Sequence, residues 1–386
     1  MDSIRLLNSI PDIHGVPVLA RLDFNVPVAD GRVVDDYRIT KALPTIDFLR
    51  QRGAKVIIVS HIEGATDTLR PVFEYLKRIM PVTFCADIIK DGPAMIAALP
   101  AGEVLLSENI RQYPGEKKND PEFAKALAAL AKLYVNDAFP AAHREHASVV
   151  GVPKLLPSYL GLQFEKEVAA LTTCFTPAHP FLFILAGAKF ETKLPLIQKF
   201  LTIADTVFVG GALANDLFKV RGISVGGSLI SAGVTADLKP LSVDSKVIIP
   251  NDVVVQSLAG VRTLTPGATS SASAGDTITP EESIMDAGPI TLEKLATLIA
   301  DAKHILWNGP LGAYEKGFTG PTKELAKIVA GATGRGAKTI VGGGDTLAAI
   351  ADLKIESSFS FVSTGGGAML DFLANGTVPA LEALKQ

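Results

Sequence analysis

The chain has 386 residues, of which 48% are hydrophobic and 20% charged, with a net charge of −3. That length exceeds what one hydrophobic core supports, so two domains are expected, and the composition is that of a folded globular protein. The charge excludes a general attraction to nucleic acid or to anionic membrane, and the longest apolar runs fall short of the ~18 residues of a membrane span.

Short β-branched runs alternate with helical periodicities nearly from end to end. The opening Met1-Asp2-Ser3-Ile4-Arg5 leads into no long apolar core, so a cytoplasmic location is expected rather than secretion. Residues 16–21, 55–60, 82–85, 103–107 and 133–136 read as buried strands. Between them, residues 39–52 and 121–132 carry apolar side chains at helical spacing. The first stops at Gly53, and Asp120-Pro121 supplies an N-cap with proline at the first helical position. Residues 152–158 read as a linker, with Ser158 capping an interdomain helix from Tyr159 to about Leu171. Strands resume at 181–185, 206–209, 246–249, 304–307, 339–341 and 359–363, while residues 264–282, rich in Ser, Thr, Ala and Gly, read as an exposed loop. Strand–helix alternation of this kind predicts an α/β protein with parallel sheets covered on both faces. Cys85 and Cys174 stand in unrelated contexts, with neither metal spacing nor a disulfide framework.

Open parallel sheets bind ligands at the carboxyl ends of their strands. In the first half those ends carry arginine: Arg21, Arg111 and Arg144. Every arginine except Arg221, Arg262 and Arg335 lies between Arg5 and Arg144. In the second half the same places carry glycine turns: Ala186-Gly187-Ala188-Lys189 with Lys193, Gly342-Gly343-Gly344-Asp345-Thr346, and Ser363-Thr364-Gly365-Gly366-Gly367. Glycine lets backbone N–H groups approach an anion, and a following helix start adds its positive dipole end. One half is suited to a small anion and the other to a polyphosphate, although neither common nucleotide fingerprint occurs. Gly222-Ile223-Ser224-Val225-Gly226 fits G-x-S-x-G but follows an expected helix, 212–220, rather than a strand, so a nucleophilic serine is not expected there.

Arg21-Leu22-Asp23-Phe24-Asn25-Val26-Pro27 resembles the R-x-D-F-N-V-P signature of phosphoglycerate kinases. So do Val135-Asn136-Asp137-Ala138-Phe139 with Ala142-His143-Arg144, Trp307-Asn308-Gly309-Pro310-Leu311-Gly312, and the last two glycine turns, all in the family's order. The resemblance implies an α/β fold of two doubly wound parallel-sheet domains: a glycerate-binding domain (1–157), an interdomain helix (158–172), a nucleotide-binding domain (173–370) and a C-terminal segment (371–386) returning to the first domain. It implies phosphoryl transfer from 1,3-bisphosphoglycerate to MgADP, giving ATP and 3-phosphoglycerate, in a monomer whose hinge closes. Arg21, Asp23, Phe24, Asn25, Arg38, His61, Arg111 and Arg144 would hold the glycerate. Arg38, Lys189, Lys193, Gly366 and Gly367 would stabilise the transferring group. Lys193, Asn308, Glu315, Gly342, Gly343, Gly344, Asp345 and Thr346 would hold the nucleotide, with Asp345 reaching Mg²⁺.

The match departs most at one loop, beside single replacements of family glycines by Pro140, Ala186 and Ala212. Where the family has H-L-G-R-P, this chain reads His61-Ile62-Glu63-Gly64-Ala65, so Gly64 replaces a phosphate-gripping arginine and Glu63 replaces a glycine. Arg70, across a shortened loop, is a candidate replacement for the lost guanidinium. Two alternatives stay open: a kinase of another small carboxylate or acyl phosphate, and a nucleotide-binding protein of negligible turnover.

Overall fold

The apolar runs form two six-stranded parallel sheets, one in each of two units. The computed structural model describes residues 4–64, 67–231, 235–267 and 277–385. One unit runs up to Ala169 and takes in the chain from Asn375 onward; the other is Ala170–Ala374.

In the first unit, β1 (Pro17–Arg21) is followed by a short hairpin of β2 (Val28–Ala29) and β3 (Arg32–Val33), then α1 (Tyr37–Gln51) and β4 (Lys55–Val59). Next come α2 (Arg70–Leu76), β5 (Val82–Cys85), α3 (Gly92–Ala98), β6 (Val104–Ser107), α4 (Pro114–Lys117), α5 (Pro121–Ala128), β7 (Leu133–Asn136) and β8 (Ser158–Leu160). The sheet order is β5-β6-β4-β1-β7-β8. The chain winds one way from β1 to β4 and the other way from β7 to β8, so its switch point lies between β1 and β7. Val18 and Ala20 face a core shared with Val56, Ile58, Val104, Leu106 and the α1 residues Ile39, Ala42, Ile46 and Leu49. Leu19, Ile57 and Leu105, on the opposite face, are equally buried. Burial on both faces explains the unbroken apolar runs.

Helix α6 (Leu162–Thr172) crosses the division between the units. Its start corrects the sequence-based expectation. Ser158 and Tyr159 are not a cap and a first helical turn; they form the edge strand β8 beside β7. The cap comes from elsewhere in the fold. Thr45 Oγ1 accepts from Leu162 N at 3.0 Å, and Asp137 Oδ1 accepts from Phe164 N at 2.8 Å. Ser158 Oγ instead donates to the Leu156 carbonyl at 2.8 Å.

The second unit begins with β9 (Phe181–Leu185), α7 (Phe190–Leu201), β10 (Thr206–Val209), α8 (Ala212–Val220), α9 (Thr235–Val243) and β11 (Val247–Ile248). An antiparallel insertion of β12 (Val253–Ser257), β13 (Gly260–Leu264) and β14 (Ser283–Ala287) precedes α10 (Pro289–Asp301) and β15 (His304–Asn308). Then follow α11 (Gly320–Gly334), β16 (Lys338–Gly342), α12 (Gly344–Leu353), β17 (Phe361–Val362) and α13 (Gly366–Asn375). The parallel sheet runs β11-β10-β9-β15-β16-β17, with its switch point between β9 and β15. Of the expected exposed loop 264–282, residues 268–276 lie outside the described residues. Its described flanks are not all exposed: Leu264, Ile278 and Glu282 are buried. Glu282 is held there by Arg262, whose Nε donates to it at 2.6 Å.

The final helix α14 (Pro379–Leu384) belongs to the first unit, where Ala380 N donates to Ala142 O at 3.0 Å. Among the described residues no helix is long and apolar enough to cross a membrane.

Candidate active site

In the first unit the basic residues gather beyond the carboxyl ends of β1, β4, β6 and β7. Arg21 ends β1 and is fully buried. Its guanidinium donates to Ser148 Oγ at 3.0 Å, to the Leu22 carbonyl, and to His61 Nδ1 at 3.0 Å. A guanidinium can only donate, so His61 Nδ1 accepts and the ring proton sits on Nε2. Burial, followed by the charges of Arg21, Arg111 and Arg38, holds His61 well below the usual histidine range. The imidazole is therefore a neutral donor. Arg21 was expected to touch the substrate; all its guanidinium nitrogens are engaged inside the protein, so it orients His61. Phe24 departs in the same way, with its side chain in the core and its N–H donating to Ser60 Oγ at 2.9 Å.

Asp23 is buried beside this cluster and pairs with Arg38 Nη1 at 2.8 Å. Asn25 Oδ1 accepts from Glu63 N at 2.9 Å. Arg111 follows β6 in a turn capped by Asn109, and Arg144 is exposed after β7. Their proximity shows electrostatically. His146 is pushed down to about 4 by burial, then by Arg111, Arg21, Arg144 and Lys117. A second layer supports the cluster. Glu116, fully buried, accepts from Ser148 N at 2.8 Å and Ser148 Oγ at 2.6 Å. That serine is the one bonded to Arg21. Nothing in the sequence marks Glu116, which reads as a solvated turn carboxylate between Gly115 and Lys117. Arg70 does not join the cluster: its guanidinium stacks 4.7 Å from the Phe84 ring centroid.

The second unit builds its site from backbone. Gly309 has φ +96°, and a Cβ there would lie 2.2 Å from the Ala186 carbonyl oxygen. Gly211 has φ +60°, and its Cβ would lie 2.6 Å from Gly187 N. Only glycine permits the turns after β9, β10 and β15 to close on one another. Lys189 caps α7 in a left-handed conformation, and Lys193 Nζ, one turn on, donates to the carbonyls of Ala186 at 3.1 Å and Ala188 at 2.9 Å. Burial and the neighbouring Lys189 charge lower Lys193 to about 8, against the pull of Asp345. Gly343 and Gly344 open α12, Asp345 lies in its first turn, and Gly366 and Gly367 open α13. Asp345 is raised by burial and by the charge of Glu315. Gly342 ends β16, and its Cβ would press on Met369 Sδ. Asn308 and Thr346 are buried beneath these turns; Thr346 Oγ1 accepts from Gly309 N at 3.0 Å, and the Asn308 amide faces Met369 Sδ.

Beside the turns opens a cavity of ≈ 640 Å³, walled by Phe218, Leu229, Met285 and Leu311, with Glu315 and Asp345 also on its lining. The antiparallel insertion supplies part of that wall, a contribution the sequence did not disclose. Asp286 also lines it, with Oδ1 accepting from Ala287 N at 2.9 Å and burial raising the carboxyl to about 7.

The phosphoglycerate kinase family model matches residues 7–376. The chain belongs to the phosphoglycerate kinase family. Among relatives, the phosphoglycerate kinase of Pseudothermotoga lettingae is 38% identical over 392 residues, covering 97% of this chain and 96% of its own. That of Nostoc punctiforme is 40% identical over 393 residues, covering 97% of each. The structure of phosphoglycerate kinase from Pyrococcus horikoshii matches with a TM-score of 0.84 at 30% identity, over 99% of this chain and 98% of that one. Family membership accounts for the fold with two switch points. It does not by itself explain Glu63, whose carboxylate pairs with Arg111.

Proposed function

We propose that this phosphotransferase of the phosphoglycerate kinase family moves a phosphoryl group reversibly between 1,3-bisphosphoglycerate and MgADP, giving 3-phosphoglycerate and ATP. One observation carries the reading: a guanidinium cluster in one unit and a set of glycine turns in the other each stand at the carboxyl ends of the strands of a parallel sheet in the same chain. In the direction of ATP use, a carboxylate oxygen of 3-phosphoglycerate attacks the γ-phosphorus. An O–P bond forms to the acid, the bond to the β,γ-bridging oxygen breaks, and ADP leaves. The nucleophile is already ionised at neutral pH, so no general base is required.

What the reaction needs is alignment and positive charge around the migrating group. Arg111 and Arg144 grip the acid's phosphate, while Asp23, Asn25 and the His61 Nε2–H hold the glycerate; Arg21 acts through His61. Arg38 serves the migrating group from the acid side. Lys189, Lys193 and the N–H groups of Gly366 and Gly367 serve it from the nucleotide side. The base occupies the apolar cavity, Glu315 takes the ribose hydroxyls, and residues 342–346 receive the phosphates. Asp345 fits Mg²⁺ by its chemistry: it is a hard-oxygen donor at a helix start, made less acidic by burial and then by Glu315. Among the described residues no three His, Cys, Asp or Glu side chains converge as a metal cage, so most ligands would come from the nucleotide and water. Bound there, the ion supplies charge neutralisation on the phosphates.

A coupled assay with ATP, Mg²⁺ and 3-phosphoglycerate tests the reading. Turnover of the acid is the expected result; nucleotide binding without transfer to it would overturn the proposal.

A further inference from the structure

Glu63 is held as part of the acid site rather than left as a free surface carboxylate. Its N–H donates to Asn25 Oδ1 at 2.9 Å. The preceding Ile62 is tied through its carbonyl to Asn109 Nδ2 at 3.0 Å, and Asn109 Nδ2 also reaches the Asp67 carbonyl at 3.0 Å. Gln112 Nε2 donates to that same carbonyl at 2.9 Å. The backbone on both sides of Glu63 is thus fastened to the turn that carries Arg111. From this anchored position Glu63 Oε1 pairs with Arg111 Nη1. The Arg111 side chain is 9% exposed and the Glu63 side chain 58%, so one partner is fixed and the other can turn to water. Arg111 Nε is buried with no hydrogen-bond partner, a donor left over inside the cluster.

We propose that Glu63 tunes the affinity of the acid site, as an internal counter-ion of Arg111 that the phosphate of the acid must displace. The inference rests on the reading above, in which Arg111 receives that phosphate. It goes further in assigning a role to the loop where the chain departs most from the family pattern. Displacement exchanges one charge-assisted contact for another, so binding gains less than it would at an unpaired guanidinium. A phosphate dianion carries more charge than a carboxylate and can fill Arg111 Nε as well as Nη1. An acid with a singly charged tail gains almost nothing by the exchange. Glu63 therefore weakens binding of every acid whose tail takes Arg111, by the free energy of the pair that must open.

Glu63→Gln in the full chain retains the backbone bond to Asn25 and the side-chain length while removing the charge. The Michaelis constant for 3-phosphoglycerate should fall about fivefold to tenfold with kcat little changed, and inorganic sulfate, titrated by calorimetry, should bind tighter by a similar factor. Glu74→Gln makes the same charge change on the exposed face of α2 and should alter neither value. An active wild type with an E63Q Michaelis constant within twofold of its own would overturn the inference and leave the functional reading standing. Equal shifts in E63Q and E74Q would overturn it too, as an effect of overall charge. A wild type that neither turns over nor binds 3-phosphoglycerate would remove the functional reading. In that case tighter sulfate binding by E63Q still supports Glu63 as the counter-ion of Arg111, and equal binding overturns it.

Discussion

The two sites meet anions in opposite ways. The first unit uses long charged side chains, Arg38, Arg111 and Arg144, steadied by a buried layer of Ser148, Glu116 and Arg21. The second uses main chain: glycine turns packed against one another at distances that exclude a Cβ, with helix starts supplying the field. Side-chain charge is strong and easily screened or neutralised, as Glu63 neutralises Arg111. A backbone cradle carries little net charge, but its geometry is fixed by the fold and changes only if the turns themselves move. The difference teaches where each site is vulnerable: the first to charge, the second to shape.

The sharpest test of that contrast is Lys193, the buried cation inside the backbone cradle. Lys193→Ala should lower kcat on the order of a hundredfold to a thousandfold, the scale of losing one preorganised transition-state donor, with circular dichroism unchanged. Wild-type kcat in that variant would make the turns sufficient on their own. Next in size is Arg111→Ala. It should raise the Michaelis constant for 3-phosphoglycerate about tenfold to a hundredfold, and the ratio to wild type should shrink as salt is added. A ratio indifferent to salt would place Arg111 outside the charge-based site.

The pH profile gives a smaller, graded effect. Lys193 is charged below its value of about 8 and neutral above it. The free-enzyme kcat/KM for nucleotide should therefore fall on the alkaline side of pH 8, approaching tenfold per unit. A profile flat to pH 10 would mean that the ammonium is dispensable for capturing nucleotide. The smallest effect concerns the frame rather than the sites. Asp137→Ala removes the side chain that caps α6 from the end of β7, and should cost about 1–2 kcal/mol in urea unfolding while the Michaelis constants stay near wild type.

Much of the fold was legible because buried parallel strands announce themselves as unbroken apolar runs. Residues 82–85, 133–136, 181–185 and 206–209 form strands with the limits the sequence reading gave them. The start of α6 was not legible. Ser158 has the chemistry of a cap, yet β7 offers a free edge next to it, and pairing there fixes residues 158–160 as strand. The antiparallel insertion was missed although Val253-Val254-Val255 is a β-branched run, because its partner strands are short and mixed in character and the small polar residues between them read as loop. At the sites, residue type alone separated cations from glycine turns but not outer groups from inner ones. Arg21 and Arg111 look alike in sequence; burial commits one to Ser148 and His61 and leaves the other with a donor to spare.

By itself the sequence determined the two parallel sheets, the glycine turns at their carboxyl ends and the concentration of arginine in the first half, because strand periodicity and glycine's backbone freedom are local properties. Tertiary structure alone decided which cations remain free. The pairing of Glu63 with Arg111 and the sequestering of Arg21 depend on groups distant in the chain being brought within a few ångströms, and the depressed Lys193 ammonium depends on burial, so that charge and desolvation act on position and not on order.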